Sequence, residues 1–391
     1  MATLGDYIKI KHGYAFKGDF ITTDDNGVVL VTPGNFEIGG GFKEEKCKFF
    51  SSDYPDDYVL KPDDLIVSMT DLSKTIDTLG YSALVPDSER VYLHNQRIGL
   101  IEILRDDVDK HFLYWFMRTP YYQKTIAATS TGSTVHHTSP DRICEVGVEF
   151  PDYEIQKKIA EFLDAVEAKY VTNAAVNRIL EQMANLIFKK EFLKRESIPD
   201  GWNTSNLLGI ADYLNGLAMQ KFRPAEGEEG LPVLKIRELR QGSCDENAEK
   251  CSPNIKPEYI VEDGDVIFSW SGSLLVDFWC GGKCGLNQHL FRVTSLKYDK
   301  WFYYAWTNYH LDKFIAIAAD MATTMGHIKR KELEKAEVLI PSKEDYERIG
   351  SLLAPIYDLI IANRLENRKW VMMRNQLLPA LMSGRIDVSE L

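Results

Sequence analysis

The residues that most invite a chemical reading are a set of cysteines, a few histidines and a run of acids. Cys244, Cys251, Cys280 and Cys284 could be taken for a zinc site, with Cys280-Gly-Gly-Lys-Cys284 as the closer pair. Structural zinc sites draw their ligands from tight, regularly spaced pairs; this spacing is irregular, and no metal is expected. His136 and His137, answered by His327 in the second half, lie in Gly- and Thr-rich loops with no nucleophile beside them, which argues against catalysis. Pro62-Asp63-Asp64 is not followed by the Glu-x-Lys or Asp-x-Lys of a nuclease, and Gly39-Gly40-Gly41-Phe42 lacks the Lys-Ser/Thr of a phosphate-cradling loop and reads as a turn. No Asn-Pro-Pro-aromatic or Asp-Pro-Pro-Tyr run is present to hold an extruded adenine. The sequence therefore points to recognition without catalysis, with no cofactor in this chain.

The elements that position these residues must come from an ordinary globular composition. The 391 residues are 45% hydrophobic and 27% charged, enough for two or three domains with sizeable cores. No window resembles a membrane span and no basic-apolar leader opens the chain, so a cytoplasmic protein without membrane contact is expected, its six cysteines reduced. A net charge of −12 departs from the basic footprint of a nucleic-acid binder, but phosphate contacts need only local Lys and Arg on one face.

Internal repetition organises the chain. Leu4-Gly5 and Gly13-Tyr14-Ala15 are answered by Leu208-Gly209 and Gly216-Leu217-Ala218, a shift of 203 to 204 positions. In the same order, Asp64-Leu65-Ile66-Val67-Ser68 is answered by Asp265-Val266-Ile267-Phe268-Ser269, and Leu93-His94-Asn95-Gln96 by Gly285-Leu286-Asn287-Gln288. Gly147-Val148-Glu149-Phe150-Pro151 is answered by Glu337-Val338-Leu339-Ile340-Pro341 at a shift of 190. Each half reads as a mixed unit of short β-rich runs (28–31, 65–67, 98–101, 266–268) between turn residues, then aromatic-rich helical patches at 110–129 and 300–319 whose rings are core, then a long helix.

The long helices carry a heptad seam. It runs Ile159, Leu163, Val166, Tyr170, Asn173, Asn177, Leu180, Ala184, Ile187 in the first, and Ile349, Leu353, Ile356, Ile360, Asn363, Asn367, Trp370, Arg374, Leu377, Leu381 in the second. An Asn on an apolar seam penalises every register in which its amide lacks a partner, so Asn173 and Asn177 facing Asn363 and Asn367 would fix alignment. Two equivalent units, each ending in its helix, are most simply related by a pseudo-two-fold axis, which makes the helices antiparallel. A helix of about 40 residues is about 60 Å long, a span that suits two readers on successive major grooves of DNA. Pro355 should bend or locally break the second helix.

At this point the chain resembles the specificity subunits of type I restriction-modification systems, over essentially its whole length. Pro199-Asp200-Gly201-Trp202 resembles the opening motif of a target-recognition domain in that family. The two Asp-apolar-apolar strands above resemble its Gly-Asp strand, 151–160 its spacer-helix start, and Asn375-Gln376-Leu377-Leu378-Pro379-Ala380-Leu381-Met382-Ser383-Gly384-Arg385-Ile386 its closing segment. The first unit lacks the opening motif, and the Gln of the spacer-helix motif is Tyr346 in the second copy. The resemblance implies an α+β fold: two mixed α/β target-recognition domains joined by two long antiparallel coiled-coil spacer helices. The expected divisions are 1–151 and 197–341 for the domains, 152–196 for the central spacer helix and 342–391 for the C-terminal helix and tail. It also implies double-stranded DNA as ligand. Two modification subunits would use S-adenosylmethionine to methylate adenine, and restriction subunits would use ATP and Mg to translocate and cut.

Reading base edges requires polar side chains on loops. Four sets qualify: Thr32 and Asn35 with Lys235, Arg237 and Arg240; Ser68, Thr70 and Lys74 with Ser269, Trp270, Ser271 and Ser273; Ser130, Thr131, Ser133, His136 and His137 with Thr323, Thr324, His327, Lys329 and Arg330; and Asn95, Gln96 and Arg97 with Asn287, Gln288 and His289. The two halves differ in residue type, so an asymmetric bipartite target is expected. The rival is an antiparallel coiled-coil scaffold whose ends bind proteins, which would suit the acidic charge.

Overall fold

The computed structural model describes residues 2–73, 76–132, 134–194, 197–320, 327–386 and 388. The chain divides into two compact units, 1–168 with 372–391, and 169–371. Each long helix thus gives one part to each unit.

In the first unit an antiparallel sheet runs in the order Ile8–His12, Ile98–Ile103, Leu65–Ser68, Ser82–Leu84. A second sheet is built around a parallel pair, Val28–Val31 beside Val91–His94. Strand Leu65–Ser68 is apolar through its first three residues and buried throughout because both its faces are covered. Leu65 and Val67 face a helical core with Phe112, Trp115 and Tyr122, while Ile66 faces the second sheet with Val29, Val31 and Ile98. The second unit repeats the plan. Its sheet runs Asp212–Asn215, Leu290–Thr294, Val266–Ser269, Leu275–Phe278, and its parallel pair is Leu231–Leu234 with Cys284–Leu286. Val266 and Phe268 face the helical core and Ile267 the other, the same alternation. Ala2–Thr3 pairs with Gly147–Val148 in one unit and Asn203–Asn206 with Glu337–Ile340 in the other, joining the start of each unit to its end.

The aromatic patches are helices that bury most of their rings, with Tyr121 and Tyr309 left exposed. Each is divided in two: Lys110–Phe116 and Pro120–Thr129, then Lys300–Tyr309 and Leu311–Asp320. Thr119 accepts from the Tyr122 amide and Pro120 takes the first helical position, where its missing N–H costs nothing, so the chain restarts there.

The central helix spans Tyr153–Phe188 and closes in a π-helical turn, Lys189–Leu193; the C-terminal helix spans Lys343–Met382. Of the bend or local break expected at Pro355, the break does not occur: the helix runs through it. Pro355 and Ser351, whose carbonyl loses its helical partner, both lie on the exposed face, so the freed acceptor is open to solvent. The seam is buried at Ile159, Leu163, Val166, Ala184, Ile349, Leu353, Ile360 and Leu381, but Tyr170 is 39% exposed and does not belong to it.

Within the second unit the two helices are antiparallel and the asparagines meet. Asn363 donates to Asn177 Oδ1 at 2.8 Å, and Asn177 donates to the Ile360 carbonyl at 3.2 Å. Asn173 donates to Asn367 Oδ1 at 2.9 Å, and Asn367 to the Tyr170 carbonyl at 3.1 Å. Exchanging the helices by adding or subtracting 190 (363 − 173, 367 − 177, 360 − 170) turns one pair of bonds into the other, so this cluster has its own local two-fold symmetry. In the first unit, Arg374 bonds Glu167 at 2.9 Å.

The Tyr346 departure is also explained. Gln156 Oε1 accepts from the Asp109 amide at 3.0 Å, and Tyr346 OH accepts from the Asp299 amide at 2.8 Å, so each anchors the start of the following aromatic helix to the long helix. Asp109 and Asp299 are themselves separated by 190 (299 − 109).

Candidate nucleic-acid interface

In the first unit the strands ending at His12, Val31, Ser68 and His94 finish at one edge, because His12 faces Gly99, Ser68 faces Ile98 and Val31 faces His94. The loops that follow are therefore gathered by the sheets. Tyr14 N donates to the His94 carbonyl at 2.8 Å, Gln96 N to the Tyr14 carbonyl at 3.0 Å, and Thr138 N to the Met69 carbonyl at 3.0 Å. Thr70 and Asp71 pair with His137 and His136. The second unit makes the same bonds with Leu217 N to Leu286 O (2.9 Å), Gln288 N to Leu217 O (2.8 Å) and Ile328 N to Trp270 O (2.9 Å), and Ser271 pairs with His327. The described members of all four sequence-derived sets thus come together at one edge in each unit. Lys74, Ser133, Thr323 and Thr324 lie outside the described residues.

Gly13 and Gly216 permit this closure. A Cβ on either would sit 2.2 Å from the carbonyl oxygen of Asn95 or Asn287, so only glycine lets the loop lie against its neighbour.

Several candidates are turned inward and are corrected accordingly. Ser68 and Ser269 have no exposed surface; Ser68 donates to the Thr70 carbonyl at 3.0 Å and Ser269 to the Ser273 carbonyl at 2.9 Å, so they hold the loop and present nothing to a ligand in this conformation. Asn35, 1% exposed, accepts from Thr32 N at 2.9 Å and donates to the Lys43 carbonyl at 3.2 Å, closing the 32–43 loop with Thr32. Asn95 and Asn287 cap their turns by accepting from Arg97 N (3.1 Å) and His289 N (3.3 Å). Thr70 is buried against the His137 ring at 3.2 Å, Ser271 is buried, and Ser130 bonds back to Ala127. These residues set loop shape because a buried polar group must be satisfied within the fold.

The outward set in the first unit is Gln96, Arg97, Thr131 and His137, all exposed, with Arg142 donating to Thr131 Oγ1 at 3.2 Å; His136 is half-buried. In the second unit Arg237, Arg240, Ser273, His327, Lys329 and Arg330 are exposed. Arg240 donates to Ser273, and Arg330 to the Tyr213 carbonyl at 3.4 Å. Trp270 stacks on Phe291 at 5.6 Å, donates to Asn215 Oδ1 at 2.9 Å, and has the His289 and His327 rings at 6.2 and 6.3 Å. Lys235, Arg237, Gln288 and His289 line a surface cleft of about 340 Å³ with Gln220 and Glu249.

Sequence reasoning missed the loop after each of these repeated glycines. Tyr14 and Lys17, and Gln220, Lys221 and Arg223, are exposed on it. The repeat of Gly13-Tyr14-Ala15 as Gly216-Leu217-Ala218 was the available signal. It also missed Asp71, which accepts from the amides of Ser73 and Thr78, both at 2.5 Å, and of Leu79 at 3.1 Å. Burial would raise this carboxyl, but those amides outweigh it and hold the group below its ordinary value, a fixed anion that ties Ser73 to Thr78 and Leu79.

Among the described residues no group of His, Cys, Asp and Glu is placed to hold a metal. Cys244 and Cys284 lie 3.7 Å apart as free thiols; the hydrogen bond from Cys244 and burial push the Cys284 thiol up, and burial pushes Cys280 to about 11. No helix among the described residues is long and apolar enough to cross a membrane. Each edge is a rigid frame carrying outward donors, acceptors and cations that differ between units, which suits a polyanion whose edges carry a pattern.

A family profile described as type I restriction modification DNA specificity domain matches this chain twice, at 1–182 and 199–368. A specificity subunit of the type I restriction enzyme MjaIX of Methanocaldococcus jannaschii is 24% identical over 312 residues, 74% of this chain and 72% of that protein. The EcoBI specificity subunit of Escherichia coli is 23% identical over 379 residues, 87% of this chain and 75% of that one. The crystal structure of a type I restriction-modification S subunit from M. genitalium superposes with a TM-score of 0.61 at 14% identity, covering 97% of this chain and 94% of that one.

Proposed function

Since the chain belongs to the family of type I restriction-modification DNA specificity subunits, we propose that it reads a bipartite, asymmetric double-stranded DNA target, one part with each loop edge. The observation that carries this reading is the frame itself. Two units close their loops with equivalent backbone bonds, yet they present Gln96, Arg97 and His137 in one and Trp270, His327, Lys329 and Arg330 in the other. Equivalent frames with different side chains are what two different half-sites require.

The chain is the non-catalytic, sequence-choosing member of its complex. Two methyltransferase subunits supply adenine methylation with S-adenosylmethionine, and restriction subunits supply ATP- and Mg-dependent translocation and cleavage, all in the cytoplasm. The domains it contributes are 1–151 and 197–341, with 152–196 and 342–391 as spacers. Sequencing adenine methylation in genomic DNA with the gene intact and deleted tests the assignment: a two-part motif should vanish on deletion. Exchanging residues 200–340 for those of a relative should change one part of that motif and leave the other. A change in both parts would refute the modular reading.

A further inference from the structure

We propose that Glu249 is a specificity-determining residue of the second unit, holding Lys235 and Arg223 off the DNA backbone until a base edge bearing an amino group takes their place. The inference rests on the function proposed above.

Three observations carry it. Glu249 lies on the wall of the cleft that also contains Gln220, Lys235, Arg237, Gln288 and His289. Its side chain is half-buried and its carboxylate spans two cations: Oε1 pairs with Arg223 at 2.5 Å and Oε2 with Lys235. The Lys235 hydrogen bond holds the carboxyl below its ordinary value, so it is ionised at neutral pH. Its place in the fold is also specific to this unit. The Glu249 carbonyl accepts from Val233 N at 2.7 Å, and the equivalent ladder position in the first unit, opposite Leu30, is Lys48. The residue equivalent to Lys235 is Thr32 (235 − 203), and among the described residues Lys48 makes no ion pair. One unit thus carries two cations tied to a single carboxylate where the other carries an exposed lysine and a hydroxyl.

The consequence follows from charge. A lysine or arginine free at the edge binds any phosphate, and such contacts give affinity without sequence information. Here a phosphate must first displace a carboxylate that repels it. Glu249 then sits in the cleft as an acceptor with its charge exposed, a loss recovered only if a base offers a donor, as the amino groups of cytosine and adenine do in the major groove. Duplex lacking that donor is penalised. Arg237 is treated alike, bonded to Glu238 at 2.8 Å and Asp245 at 3.1 Å, whereas Arg240 bonds only the Ser273 hydroxyl.

The test uses the full chain assembled with its methyltransferase partners, binding cognate duplex and duplexes substituted in one half-site at a time, across salt. Glu249→Gln keeps the side-chain shape and removes the charge. It should tighten binding to duplexes altered in the second unit's half-site by about tenfold, make the log–log salt slope steeper by about one to two, and leave discrimination at the other half-site unchanged. Removing the cations as well, in Arg223→Gln/Lys235→Gln, should abolish that gain, so the effects are non-additive. If Glu249→Gln leaves non-cognate affinity at the wild-type value, or weakens cognate and non-cognate duplexes together with a lowered melting temperature, Glu249 is only a structural partner and the inference fails while the function stands. If the wild-type complex shows no sequence preference, the proposed function falls and the inference falls with it.

Discussion

Replacing Asn177 with Leu isolates the alignment device of the long helices. Asn177 is 6% exposed and its Oδ1 is the acceptor for Asn363 Nδ2, itself on a residue 9% exposed. The Ile360 carbonyl loses a second donor but keeps its place in the helix ladder, so the main cost is one buried amide left without an acceptor, about 2 kcal/mol. The second unit spans 203 residues (371 − 169 + 1), for which each kcal/mol shifts the melting temperature by about 2–4 °C, so a fall of about 4–8 °C is expected. Asn177→Leu/Asn363→Leu removes both polar groups and should recover most of that loss, because an apolar pair of similar size satisfies itself. Asn367→Leu should cost about 1 kcal/mol less than Asn177→Leu, since Asn173 keeps a second acceptor, Glu366 Oε2 at 2.7 Å. Differential scanning calorimetry of these three variants and of Asn363→Leu reads all of this. Equal melting temperatures throughout, or a double variant as unstable as the sum of its singles, would refute the coupled-pair reasoning.

Gly13→Ala and Gly216→Ala should each cost about 2 kcal/mol or more and abolish reading of one half-site only, as measured by half-site-substituted duplexes, because the added Cβ meets a carbonyl at 2.2 Å. His94 is buried, its Nε2 lies 2.8 Å from the Ile98 carbonyl, and burial lowers its pKa from 6.5 to about 4. The folded chain therefore resists a proton that the unfolded chain takes up, and stability present above pH 6.5 is lost, by about 3 kcal/mol, as pH falls from 6.5 to about 4. A His94→Gln variant should lack that slope in urea titrations, and an unchanged slope would contradict the assignment. Trp270→Ala should alter the part of the methylation motif read by the second unit and leave the first, since its ring stands among His289, Phe291 and His327. Chelator treatment should leave the melting curve unmoved; a fall in melting temperature restored by zinc would show that cysteine ligands had been overlooked.

The sequence by itself determined the plan. Its internal shifts of 203 and 190 residues predicted two equivalent units, whose pseudo-two-fold relation predicted antiparallel helices, and the two levels of asparagine on the heptad seam predicted their alignment. Those features are legible because they are periodic: a repeat, a 3.5-residue period and an alternating strand each impose a pattern on residue type. The four loop sets could be named for the same reason, from their positions after repeated strands. What only the tertiary structure decided is direction and pairing. Ser68, Ser269 and Asn35 are the same residue types as an exposed reader, and nothing local says that they turn inward, because burial depends on what packs across the sheet. Pro355 carried a rule for breaking a helix that lost to packing on both sides and to solvent at the freed carbonyl. The Glu249 pair with Arg223 and Lys235 joins residues 26 (249 − 223) and 14 (249 − 235) positions apart across a strand pair and a loop. Charge pairing of that kind depends on distance in space, which chain position does not encode.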